Sequence, residues 1–260
     1  VHYVSPLSGD DSDIEVSTFY ELPALRDGES VGLDGGTLFR DRGFLDTGAQ
    51  NIRVGTYGSN QIVRFDLTRT LRFSEWSVVE DSVYRQTVSP AWFRSEDVRL
   101  VEEEPTTGER SVVQQAATLE EVSQVPGSSF VQATDSEWIL FYHPTHEGAF
   151  LNQSYDVLWT AYPFALSTAG AGVDKASGPI EGPGIIEWSG SFSGGVRVGT
   201  GGVLERWIFR HHGKHHLVHA GGVAKDLIFT DTFDRGSANT LQWFNGQNVS
   251  ERQTAISKRC

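Results

Sequence analysis

Five of the chain's eight histidines fall in one nine-residue run, HHGKHHLVH at 211–219. Imidazole can ligate a metal or titrate just below neutral pH, so the spacing decides which chemistry is open. With His212-Gly213 as a turn, Ile208 would face Leu217 and Trp207 would face Val218 across a hairpin. His215 and His219 then share a face with Leu217, and His216 shares the other with Val218. Two imidazoles so placed need a third ligand for zinc. His143 and His146, followed by Glu147, are the residues that would supply it. Their order is H-x-x-H-E across Pro144, not the H-E-x-x-H of a metal-binding helix. The expectation is an exposed hairpin without metal, with His143, His146, His215 and His219 as the candidates should one bind. His216 is the candidate for a pH-sensitive interaction, because crowded imidazoles resist sharing charge.

Other residue types narrow the chemistry further. Seven tryptophans (Trp76, Trp92, Trp138, Trp159, Trp188, Trp207 and Trp243) could stack on sugar rings. In strands of period two the same residue fills cores, and that is the expected use for most of them. Trp188 and Trp207 are the two assigned to an interaction surface. Glycoside hydrolysis needs two carboxyl groups across a cleft. Glu137, Asp156 and Glu187 stand beside aromatics and Glu205 stands two residues from Trp207, although nearness in sequence does not set their separation. WSGSFSGG at 188–195 fails as a nucleophile elbow, since Phe192 occupies the position a serine must hold. Asp11, Asp13 and Glu15 alternate like calcium ligands but lack the glycine and distal glutamate of a calcium loop, so a solvated strand end is expected. No catalytic set and no cofactor loop emerges. The enzymatic reading is left open, leaning towards none.

The elements that would position these residues are strands. Glycine occurs 28 times, alongside short alternating runs of Val, Thr, Phe, Tyr and Trp. Three hairpins are predicted: 51–57 with 61–67, 98–104 with 109–114, and 207–211 with 214–219. The one helix signal is Thr118-Leu-Glu-Glu121, a capping box followed by about two turns before Val125-Pro-Gly. Residues 167–184, rich in Gly, Ala and Ser with two prolines, are expected to form a long surface loop. No sequence repeat of 20–50 residues is evident. The fold class is therefore all-β, a jelly roll or β-sandwich with long Gly-rich loops and very little helix. One unit spanning 1–260 is expected, with a loose subdivision near 117–130.

Thirty-four acidic against 21 basic residues give a net charge of −13, which disfavours nucleic acid and anionic bilayers as partners. No apolar run is long enough to span a membrane. The single cysteine, Cys260, allows no internal disulfide and leaves a thiol that could bridge two chains.

FTDTFDRGSANTLQWF at 229–244 resembles the opening of concanavalin-like jelly-roll domains, frequent in phage tail and bacterial surface proteins. EWILFYHP at 137–144 and RHHGKHHLVHAGG at 210–222 are similar to strand entries of five-bladed propeller glycosidases, without the early catalytic aspartate motif those enzymes need. Together these features lead to the expectation of a non-enzymatic structural protein of a virion: a phage tail, capsid-surface or decoration component. It would act in the virion or outside the cell, as a homo-oligomer or beside other structural subunits. An extracellular carbohydrate-binding protein or glycoside hydrolase, with a glycan as partner, is the alternative.

Overall fold

A computed structural model describes residues 2–4, 14–16, 24–40, 49–58, 62–80, 82–88, 99–104, 106–134, 137–151, 157–160, 165–167, 176–188, 196–212, 217–219, 222–232 and 241–243. The chain divides into two compact units. Val1–Leu67 and Tyr162–Cys260 form the first, and Thr68–Ala161, inserted between them, forms the second. The subdivision expected near 117–130 falls inside the second unit.

The first unit is a solenoid of parallel strands. One face stacks His2–Val4, Ser30–Asp34, Arg53–Tyr57, the start of Ile180–Glu187, the start of Gly202–His212, and Gly222–Lys225, all parallel. A second face stacks Leu38–Phe39, Val63–Asp66, the ends of those same two long strands, and Ile228–Thr232. A third joins Leu166–Ser167, Val196–Val198, Leu217–His219 and Leu241–Trp243. Parallel neighbours require the chain to travel round and return before it can pair again. From Ile180 onward the return distance is about 20 to 24 residues, as between Ile208 and Ile228 or Ile180 and Leu204.

The all-β expectation holds, and its arrangement is corrected. A jelly roll or sandwich pairs strands antiparallel, whereas this unit is parallel throughout its described ladders. The predicted hairpin across His212-Gly213 is replaced by two rungs: Ile208 pairs with Ile185 and Ile228, and Leu217 pairs with Val196 and Leu241. Likewise 51–57 and 61–67 supply two different faces instead of a hairpin. The stretch likened to concanavalin-like domains contributes Ile228–Thr232 and Leu241–Trp243 to separate parallel faces.

Alternation along the second face builds the core. Phe39, Phe65, Ile186, Phe209 and Phe229 occupy one column. Phe39 stacks on Phe65 at 4.9 Å between ring centroids, and Phe209 on Phe229 at 5.2 Å. Trp207 lies wholly inside, its indole N–H donating to the Ile180 carbonyl at 3.3 Å. Two corner glycines permit this closeness. A Cβ on Gly184 would collide with the Trp207 ring, and one on Gly182 with the Arg206 carbonyl. The loop predicted over 167–184 is corrected in part: Ile180–Glu187 is strand, with Ile180 buried and Glu181 exposed, and Gly178, Gly182 and Gly184 sit where a Cβ would collide with a neighbouring rung, while residues 168–175 lie outside the described residues.

The second unit is antiparallel apart from one short parallel pair. One sheet runs Arg110–Val112, Leu100–Glu103, Val157–Thr160, Thr68–Leu71, and the other runs Gln114–Gln115, Ser128–Ala133, Trp138–His143, Val83–Val88, Ser77–Glu80. The predicted 98–104/109–114 hairpin is present, with Glu103 opposite Arg110. So is the short helix, Leu119–Gln124. Glu121 N–H donates to the Thr118 hydroxyl at 3.2 Å, and the Glu121 carboxylate accepts from Ala117 N–H at 2.7 Å. Phe150 centres an aromatic cluster with Phe73, Trp76, Tyr84 and Tyr142. The two stretches likened to propeller blades lie in different units: 137–144 holds Trp138–His143 here, and 210–222 holds the end of Gly202–His212 and Leu217–His219 in the solenoid.

Candidate functional site

On the second solenoid face the residues opposite the core column point away from it, and two rows result. Leu38, Arg64, Ile185, Ile208 and Ile228 are in register in one. Asp66, Glu187, Arg210 and Thr230 are in register in the other. Strand neighbours lie about 4.8 Å apart, so Asp66 and Glu187 carry their carboxyl groups on adjacent rungs of one face. Both are buried.

Glu187 is held from two sides. Arg64 Nη2 donates to its Oε1 at 2.6 Å and Arg210 Nε donates to its Oε2 at 2.6 Å. The carboxylate side chain is 4% exposed, whereas the two arginine side chains are 47% and 35% exposed. Carboxylates therefore form the floor and guanidinium groups the rim. Because both oxygens accept charge-assisted hydrogen bonds, the group is fixed in orientation as well as charge.

The strand then turns a corner. Trp188 and His211 both adopt left-handed backbone conformations, with φ of 61° and 54°. They occupy consecutive rungs, and their rings stack at 4.4 Å with 17° between planes. Next along, the His212 imidazole is fully buried and its Nε2–H donates to the Ile186 carbonyl at 2.9 Å. Burial pushes its pKa down to about 4; the Ile186 bond opposes this, His211 adds to it, and Glu187 opposes it. His212 is thus a neutral structural strut at neutral pH. Placed together, these groups are two buried carboxyls beneath two partly exposed guanidinium groups, with the buried Trp188 ring stacked on His211 beside them, and the guanidinium groups can donate to a hydroxyl-bearing ligand.

The sequence-derived candidates are distributed as follows. Trp188 lies next to this site in sequence and on its rung, but it is buried, at 5% exposure. Trp207 is in the core and offers no surface for interaction. His216 and His215 lie outside the described residues, and His219 is on the third face. His143 and His146 belong to the second unit, where His143 Nδ1 lies 2.9 Å from the Val122 carbonyl and His146 lies 3.4 Å from Glu104. Among the described residues no group of three potential ligands could hold a metal ion. Of the carboxylates near aromatics in sequence, Glu187 is in the site, and Glu205 instead pairs with Lys225 on the first face. No helix among the described residues is long and apolar enough to cross a membrane.

Sequence reasoning missed Asp66, Arg64 and Arg210. The signal was present in four tetrapeptides, VRFD at 63–66, GIIE at 184–187, WIFR at 207–210 and LIFT at 227–230. Each puts a core residue third and a polar residue fourth.

The second unit has a separate feature. Glu102, Glu103, Glu104, Glu109, Ser111 and His146 line a concavity of about 220 Å³. Three of its four glutamates are engaged through their carboxylates: Glu102 by Tyr142 and Thr145, Glu103 by Arg110, Glu104 by Thr106 and His146.

No family model matches the chain, and no curated protein matches it either. Among solved structures, the complex of XylC with xylose is similar, with a TM-score of 0.56 and 9% sequence identity. The likeness covers 89% of this chain and 50% of the XylC chain, so this chain spans half the length of that protein. At that identity the likeness is one of fold.

Proposed function

We propose that the chain is a carbohydrate-active protein whose saccharide site is the Asp66–Glu187 floor of the solenoid face. One observation carries the reading: two buried carboxyl groups sit on adjacent rungs, one clasped by Arg64 and Arg210, with Trp188 following. Sugars are recognised by charged groups that bind vicinal hydroxyls and by aromatic rings beside them. A carboxyl pair on one face is also what glycoside hydrolysis employs. The fold likeness to XylC, a protein solved with xylose, supports the same class. Net charge of −13 favours neutral over anionic sugars.

The test is titration calorimetry against neutral mono- and oligosaccharides, with reducing-end release measured in parallel. Binding should weaken at least tenfold in Glu187→Gln, and any hydrolysis should vanish in Asp66→Asn. Absence of binding to every sugar in the panel would overturn the proposal.

A second reading, the virion assembly component, is favoured by a different observation. Ser77–Glu80 is an edge strand with Val78 65% exposed, and an edge can pair with a second copy. Light scattering at high concentration decides it, since a strict monomer has no such assembly.

A further inference from the structure

We infer that the ligand of this face is an extended, neutral oligosaccharide lying along the solenoid axis, one sugar per rung, and not a single sugar in an isolated pocket. The inference rests on the saccharide reading above and concerns how far the site extends.

Three features of the two outward rows carry it. First, they are continuous. Asp66, Glu187, Arg210 and Thr230 follow one another rung by rung, so the polar groups do not stop at the carboxylate pair. Second, the rows differ in kind. Beside the polar row, Arg64 stands on the Asp66 rung and Ile185, Ile208 and Ile228 on the rungs that follow, with Ile228 44% exposed and the other two isoleucines partly so. A pyranose has the matching asymmetry, with hydroxyls at its rim and C–H groups on its faces. A chain of them can give hydroxyls to one row and C–H surface to the other. Third, the pitch is fixed. Rungs repeat at about 4.8 Å, comparable to the advance per residue of an extended sugar chain, so contacts made on one rung recur on the next. An extended peptide advances about 3.3 Å per residue and falls out of step with this pitch. It would need an unpaired sheet edge for its backbone, and this row is a face whose backbone groups are already spent in the ladders.

The charge pattern sets the ligand's character. Along the polar row the sign runs from carboxylates at Asp66 and Glu187 through a guanidinium at Arg210 to the neutral hydroxyl of Thr230. No uniform charge would select an acidic polymer, and the protein's net charge repels one.

Calorimetry with neutral β-linked xylo-, gluco- and manno-oligosaccharides of one to five residues tests this. In the series that binds, affinity should rise at least tenfold from monosaccharide to tetrasaccharide and then level off. Ile228→Lys should lower tetrasaccharide affinity about tenfold, and Thr230→Val should lower it several-fold. Val223→Lys, an exposed position on the first face, should leave every affinity unchanged. Thermal melts of each variant confirm folding. If a series binds with no dependence on length, and Ile228→Lys binds the tetrasaccharide as wild type does, this inference fails while the site stands. If no sugar binds, the site reading fails and this inference with it.

Discussion

At the scale of single residues, His212 offers the sharpest energetic statement. Its ring is sealed in the solenoid, and burial drives its pKa from 6.5 to about 4. Between those values the unfolded chain holds a proton that the folded chain refuses. Stability from this residue is therefore complete above pH 6.5 and is lost as pH falls towards 4. At about 1.4 kcal/mol per unit the loss is on the order of 3 kcal/mol. Urea unfolding at pH 7 and pH 4.5 should show it, and His212→Gln should lose markedly less stability between those pH values. A variant with the same pH slope as wild type would refute the assignment. The sequence did flag the histidine cluster, but its members serve different ends. His212 is a core strut, His211 is a stacking partner at a corner, and Leu217–His219 runs on another face. Chemistry was legible as residue type, and its use depended on which side of a rung each position takes.

At the scale of elements, Gly184 and Trp207 show why part of the fold could be read and part could not. The hairpin at Glu103–Arg110 and the helix capped by Thr118 are local, closed by neighbours a few residues away, and both were evident in the sequence. The bend in Ile180–Glu187 is fixed by a tryptophan from the following rung. In sequence, a glycine that yields to a neighbouring ring looks the same as one that opens a loop. Gly184→Ala puts a methyl group on the Trp207 ring and should destabilise the solenoid by about 1–3 kcal/mol. In a Trp207→Leu background the same change should cost much less, a non-additivity that a double-mutant cycle by chemical denaturation would read. Equal costs in both backgrounds would mean that the close approach is not what the glycine serves. Corners add to the illegibility. Gly182-Pro183, Arg206 and Asp226 turn the chain at matching places with unlike residues, two of them at φ of 61° and 53°. No repeat is written at the corners, even though one is written in the strands between them.

At the scale of the whole molecule, the all-β character followed from composition, while the division into units did not. An inserted unit interrupts the rung spacing between Val54 and Ile180, which are nonetheless paired neighbours. Thr68–Ala161 has its own core, including Leu71, Val83, Leu100, Tyr142 and Phe150, all essentially sealed from solvent. Expressed alone, it should fold, with a β-type circular dichroism spectrum and a cooperative melt. A spectrum of disordered chain would show that it depends on the solenoid. Closing a flexible loop as long as this insertion costs entropy that grows slowly with length, and a folded insert behaves as a far shorter tether. The clasp on Glu187 gains a meaning from this. Arg64 lies before the insertion and both Glu187 and Arg210 lie after it, so the three meet only once the two halves of the coil have closed. The same ion pairs that orient the carboxylate therefore mark closure of the coil. A chain stalled with its halves apart cannot assemble them.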